Sequence, residues 1–295
     1  MPKFATKSEG RIAGPAFSQV SDLRNALADH WPEYMIEAAG LGIFMIVAAI
    51  SDAILEHPGS FVREAISNPL ERRVFMGLAM GLTVIALIYS PWGRRSGAHL
   101  NPAVTLSFFR LGKVMPWDAV FYILAQFLGG LLGLLIVVPF IGKALADPRV
   151  DYVVTIPGSA GPVIAFIAEF LMSFGLMSVV LIASNNRHMA RLTGLFAGLL
   201  LLVYITVEAP YSGMSINPAR TLASALPARV WTAIWIYFTA PPLGMLAAAE
   251  VFVRMSRTPE AICAKLYHDQ FTRCIFRCGY ARAAAQKQRA VTSGA

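Results

Sequence analysis

The chain has 295 residues, of which 56% are apolar and only 14% charged, with a net charge of +8. A soluble domain would carry about 25% charged residues, so this composition excludes a large soluble protein with buried helices. The basic residues are scattered along the flanks of apolar runs, a pattern that suits anionic lipid headgroups and not nucleic acid.

Residues 1–30 are polar and contain no apolar run, so no secretory signal is expected, and residues 1–32 read as a cytoplasmic N-terminal segment. Six apolar windows follow: Met35–Leu55, Val74–Ser90, Val120–Ile141, Val163–Ser184, Leu192–Val207 and Trp231–Ala249. A membrane-spanning helix needs about 20 such residues, so the two shorter windows, 74–90 and 192–207, are expected to extend into their polar flanks. Six spans put both ends of the chain on one side. On that side fall 18 of the 25 Lys and Arg residues, including Lys3, Lys7, Arg11, Arg24, Arg94, Arg95, Arg110, Lys113, Arg187 and Arg191. The excess of positive charge predicts that both termini are cytoplasmic in a plasma or bacterial inner membrane.

The chain repeats itself. Glu37 opens a span reading EAAGLGIF and Glu169 one reading EFLMSFGL; each is followed by another span and then a related loop, SGAHLNPAV at 96–104 and SGMSINPAR at 212–220. Each half, about 33–145 and 160–255, contains three spans, so the second must enter the membrane from the opposite face, as an inverted repeat.

Each loop ends in Asn-Pro-Ala: Asn101, Pro102, Ala103 and Asn217, Pro218, Ala219. Proline suits the first helical turn, where its missing amide would be unpaired anyway, and the preceding asparagine suits the cap. Each triplet therefore predicts a short helix, stopped by Gly112 in one case and Pro227 in the other. About ten residues at about 1.5 Å each reach roughly 15 Å, half of a hydrocarbon core of about 30 Å. Two such half-helices entering from opposite faces would meet near the middle. Non-helical backbone at that depth must be buried or line a wet cavity, so the approach loops predict a pore. Carbonyls of Gly97, Ala98 and His99 and of Gly213, Met214 and Ser215 would offer acceptors, and the two Asn amides would offer donors at the midpoint. The positive ends of both half-helices would oppose cations and protons there.

At these residues the chain resembles the aquaporin family of major intrinsic proteins, in its bacterial-type water-channel branch. The resemblance covers residues 33–255 and rests on the two span-opening glutamates, SGAHLNPAVT and NPAR. It implies an all-α polytopic membrane fold with six transmembrane helices plus two re-entrant half-helices, assembled as a homotetramer with one pore per subunit. It also implies a selectivity filter of Met80, Ile205, Met214 and Arg220, with Val84 and Leu201 continuing the pore wall. Arg220, a charge at membrane depth, is independently a functional candidate.

That filter lacks the aromatic and histidine residues of the familiar water-selective pattern and the paired aromatics of the glycerol-conducting one. Thr221, Ala225, Tyr237 and Phe238 stand where glycerol channels carry other residues. The resemblance thus implies water permeation, with glycerol, ammonia or hydrogen peroxide as the alternative. A secondary transporter would also use inverted repeats, but no acidic residue falls at the junction of the triplets. No nucleophile–base or metal constellation within the spans points to an enzyme. Glu37 and Glu169 admit two readings, a proton-coupled pair or structural acceptors for the loops, and the resemblance implies the second.

The tail, residues 256–295, is basic and holds every cysteine of the chain. Cys263, His268, Cys274 and Cys278 form C-x4-H-x5-C-x3-C. In a reducing compartment such a cluster suggests zinc before a disulfide; a channel core itself requires no cofactor. The alternative is an amphipathic basic helix that lays Leu266, Phe271, Ile275 and Phe276 on the membrane surface.

Overall fold

The computed structural model describes residues 20–255, 261–269 and 271–280. Lys3, Lys7 and Arg11 lie outside the described residues, as do Arg257, Arg282, Lys287 and Arg289, tail residues that belong to the same 18. The regular elements are helices: α1 (Val20–Glu56), α2 (Phe61–Ala65), α3 (Pro69–Tyr89), α4 (Pro91–Ser96), α5 (Pro102–Arg110), α6 (Pro116–Leu145), α7 (Pro162–Ser184), α8 (Thr193–Ser212), α9 (Pro218–Ala228) and α10 (Trp235–Met255). Six of them, α1, α3, α6, α7, α8 and α10, are long and apolar enough to cross a membrane.

The helix starts follow local chemistry. Pro69, Pro91, Pro102, Pro116, Pro162 and Pro218 each open a helix, where a missing amide costs nothing. The two short apolar windows do extend, to Pro69 at the start of α3 and to Ser212 at the end of α8. The first span begins much earlier than its apolar core. α1 runs unbroken through Pro32 from Val20, and its polar end is tied down by the hydroxyl of Tyr34 and the ring of His30 on Asp118 of α6, 2.6 and 2.7 Å, and by Glu33 paired with Arg95 at 2.9 Å.

One predicted stop is wrong. Pro227 does not end the second half-helix but sits within its last turn, and α9 continues to Ala228. A proline there forfeits one intrahelical bond, and only Ala228 of the helix follows it. The helix is ended instead by Arg229, which takes the left-handed conformation at φ 58°.

The repeats pack alike. α1 lies on α6 through Gly42, Gly129 and Gly133, and α7 lies on α10 through Gly244, so small residues let backbones touch in both halves. α3 and α8 join the halves through Gly77, Gly81 and Gly198. Large apolar side chains such as Leu128, Phe140, Val163 and Val207 face outward. At Gly133 an added Cβ would overlap the carbonyl oxygen and Cα of Gly42, and neither can move without moving α1. Gly133→Leu is therefore expected to cost more than the roughly 1–3 kcal/mol typical of overpacking, read as loss of the monodisperse peak in detergent size-exclusion. Gly142→Ala, whose methyl would meet only Val138 Cγ1 at 3.3 Å, should leave that peak intact.

Candidate pore

The two loops are built the same way from inverted halves. Gly97, Ala98 and Leu100 have positive φ in the first loop, and Gly213, Met214 and Ile216 have it at the equivalent positions of the second. The left-handed conformation costs a non-glycine residue about 1–2 kcal/mol, and alternating it with extended residues keeps the backbone open, without helical hydrogen bonds.

Two buried carboxylates hold these loops. Glu37 accepts from the Ser96 hydroxyl (2.7 Å), the His99 amide (3.1 Å), the Leu100 amide (2.6 Å) and Gln126 Nε2 (2.9 Å). Glu169 accepts from the Ser212 hydroxyl (2.7 Å), the Ser215 amide (2.7 Å) and the Ile216 amide (2.6 Å). Tyr122 and Tyr237 complete the match, donating to the carbonyls of Ser96 and Ser212 at 2.7 and 2.6 Å. Loop amides thus occupy both carboxylates.

The triplets meet as predicted. Asn101 Oδ1 caps α5 by accepting from the Ala103 amide at 2.9 Å, and Asn217 Oδ1 caps α9 by accepting from the Ala219 amide at 3.0 Å. Each amide nitrogen then reaches across the junction: Asn101 Nδ2 donates to Ile216 O (2.7 Å) and Asn217 Nδ2 to Leu100 O (2.8 Å). A side-chain amide has two hydrogens, so each Asn has a second donor for a solute beside it.

Two cavities run along this axis and share Phe44, Leu201 and Ser215. One, of about 310 Å³, is lined by Met80, Ile205, Met214 and Arg220 together. The other, of about 80 Å³, is lined by Val84, Leu201 and both asparagines. Arg220 is 7% exposed, and among the described residues its Nη1 has no hydrogen-bond partner. Gly213, Met214 and Ser215 line the larger cavity and Ala98 and His99 the smaller.

Gly97 departs from its predicted place among the pore carbonyls. It lines neither cavity, and its carbonyl accepts from the Leu266 amide at 3.1 Å. His99 is likewise engaged: its Nε2 lies 2.8 Å from Ala264 O, and its Nδ1 lies 3.1 Å from Thr105 Oγ1.

Asp52, which also lines the larger cavity, and Phe44, which lines both, were missed in the sequence reading. A carboxylate inside an apolar run was a usable signal for Asp52; Phe44 carried none.

Among the described residues, the tail does not form the amphipathic helix that was the alternative reading. Residues 261–269 and 271–279 are irregular, Leu266 and Phe276 are buried, and Phe271 is 98% exposed. The ligand atoms of Cys263, His268, Cys274 and Cys278 all lie within 4.8 Å of one another. Hydrogen bonding with the Cys263 thiol draws Cys274 and Cys278 below the ordinary thiol range, toward the thiolate.

A family model described as Major intrinsic protein matches residues 19–252. The chain is 40% identical to Aquaporin NIP6-1 of Arabidopsis thaliana over 185 residues, covering 61% of this chain and 58% of that one. It is 39% identical to Aquaporin NIP2-2 of Zea mays over 189 residues, covering 62% and 61%. The match thus spans about three fifths of these relatives. The fold resembles that of the aquaglyceroporin from Plasmodium falciparum, with a TM-score of 0.62 at 18% identity over 76% of this chain and 95% of that one. Six spans, two end-to-end half-helices with matching Asn-Pro-Ala caps and a family match over most of the length lead to one conclusion: the chain belongs to the major intrinsic protein family.

Proposed function

We propose that this protein is a passive channel that conducts water, and with it other small uncharged solutes, across a membrane while excluding ions and protons. The observation that carries the reading is the junction of α5 and α9, where two half-helix N-termini and two asparagine amides converge beside a cavity of about 80 Å³. A solute there meets fixed donors and a positive potential from both sides. A central water that donates no proton onward breaks the relay a proton needs.

Arg220 adds a permanent charge and an unfilled donor to the wall of the larger cavity. It would hydrogen-bond a neutral solute and repel a cation. Met80, Ile205 and Met214 make the rest of that wall apolar and adaptable, which favours a second permeant, such as glycerol, ammonia or hydrogen peroxide, beside water. The relatives named aquaporins support the channel reading. Family membership also supports assembly as a homotetramer, and the basic loops support an orientation with Arg94, Arg95, Arg110 and Lys113 on the cytoplasmic face.

Stopped-flow shrinkage of proteoliposomes, with and without a metal chelator, tests this reading. In the chelator-treated vesicles, water flux should exceed that of empty vesicles at least tenfold, with low activation energy and no accompanying proton uptake. Glycerol flux equal to water flux would overturn water as the principal permeant. Proton-coupled uptake would overturn the channel in favour of a transporter.

A further inference from the structure

Residues 261–269 and 271–280 sit across the inner end of the small cavity. Leu266 forms part of that cavity's wall, beside His99 and Val104. Phe276 stacks on the His99 ring, 5.3 Å between centroids at 12°. The amide of Leu266 and the carbonyl of Ala264 occupy the polar groups of Gly97 and His99 that would otherwise greet a solute.

The segment is fastened to its surroundings on several sides. The Ile262 amide donates to Asn185 Oδ1 at 2.6 Å, in the loop after α7. The Arg277 amide donates to Lys113 O at 2.9 Å, in the loop after α5. Tyr267 packs edge-on against Tyr89 at the end of α3, with the Arg94 guanidinium 5.1 Å above its ring.

This segment has almost no regular secondary structure to hold its shape. What lies at its centre is the cluster of three sulfurs and one imidazole. Cys263 Sγ is 3.5 Å from Cys274 Sγ, and Cys278 Sγ is 3.3 Å from His268 Nε2. A tetrahedral zinc with bonds of about 2.3 Å to sulfur sets its ligands about 3.8 Å apart, close to what is found. A disulfide would need about 2.05 Å. Three soft sulfurs and a nitrogen select zinc over hard cations. His268 also stacks on Tyr280, 4.2 Å between centroids, which fixes the ring while leaving Nε2 toward the sulfurs.

We propose that Cys263, His268, Cys274 and Cys278 bind one zinc ion, and that this zinc knot is a cap that closes the inner mouth of the pore. The metal supplies the folding energy that a short irregular segment lacks. Without it, Leu266 and Phe276 lose the scaffold that presses them against the mouth, and the path past His99 opens. The proposal rests on the channel reading above, and its two halves are read by different measurements.

Full-length protein, purified without chelator, is assayed for zinc by mass spectrometry of the metal and for water permeability in proteoliposomes. About one zinc per chain is expected, with low permeability. Stripping with a high-affinity zinc chelator should raise permeability at least tenfold, and added zinc should lower it again. Cys274→Ser with Cys278→Ser should lose the zinc and stay open, while Phe276→Ala should keep the zinc yet conduct. Protein free of zinc with a Cys263–Cys274 disulfide would overturn the metal site. Zinc bound at full stoichiometry with permeability unchanged by its removal would overturn the cap. A folded, stripped protein that passes none of water, glycerol or ammonia would instead overturn the channel reading, leaving the zinc count to judge the metal site alone.

Discussion

Glu37→Ala is expected to remove most of the folded protein. The side chain is fully buried and accepts four hydrogen bonds, two of them from the His99 and Leu100 amides. Those amides belong to a loop with no helical partners, so alanine leaves both donors buried and unpaired. Each costs about 1–3 kcal/mol, roughly 2–6 kcal/mol together, against a total stability of about 5–15 kcal/mol. The strain of Ala98 and Leu100 at φ 55° and 50° then loses the anchor that offsets it. Glu169→Ala should behave alike, because Ser215 and Ile216 stand in the same relation to it. Thermal unfolding in detergent, followed by size-exclusion, is the measurement. A proton-coupled pair predicts the reverse pattern: variants that fold normally and change only the pH dependence of transport.

That contrast shows which parts of this molecule are written locally. The six spans are legible because length and apolarity alone answer the membrane's demand on the backbone. The half-helices are legible because Asn-Pro states a cap and a first turn in adjacent residues. The glutamates were ambiguous from sequence, since a carboxylate in a span is compatible with chemistry or with scaffolding. The scaffolding reading rests on contacts with amides 62 and 63 residues away for Glu37, and 46 and 47 away for Glu169, which no local pattern states. The filter quartet could be listed only through the family resemblance, because Met80, Ile205, Met214 and Arg220 come from three separate elements and an approach loop. Least legible was the tail. Its cysteines and histidine advertise a cluster, but its seat depends on single hydrogen bonds to Gly97, Lys113 and Asn185, which leave no periodic trace.

Arg220→Val should make the pore leak. The guanidinium is buried in the first turn of α9, where the Asn217 cap fixes its backbone. A unit charge about 4 Å from a passing cation opposes it by about 4 kcal/mol at an effective dielectric constant of 20. That corresponds to nearly three decades in occupancy, although water in a 310 Å³ cavity and the carboxylate of Asp52 on the same wall will screen part of it. The expected rise in proton or cation conductance is therefore roughly 10- to 100-fold, measured with a pH-sensitive dye trapped in vesicles. Glycerol flux should rise as well, because valine leaves space that the guanidinium filled. Arg220→Lys keeps the charge and should still exclude protons, but it loses the planar fork that orients a hydroxyl, so its effect should fall on solute selection. The asparagine amides and half-helix termini remain in both variants. The leak through Arg220→Val should consequently stay below that of a variant that also carries Asn217→Asp, whose carboxylate would draw cations to the junction instead of turning them back. Equal leaks in the single and double variants would place the whole barrier at Arg220 and remove the junction from the account of proton exclusion.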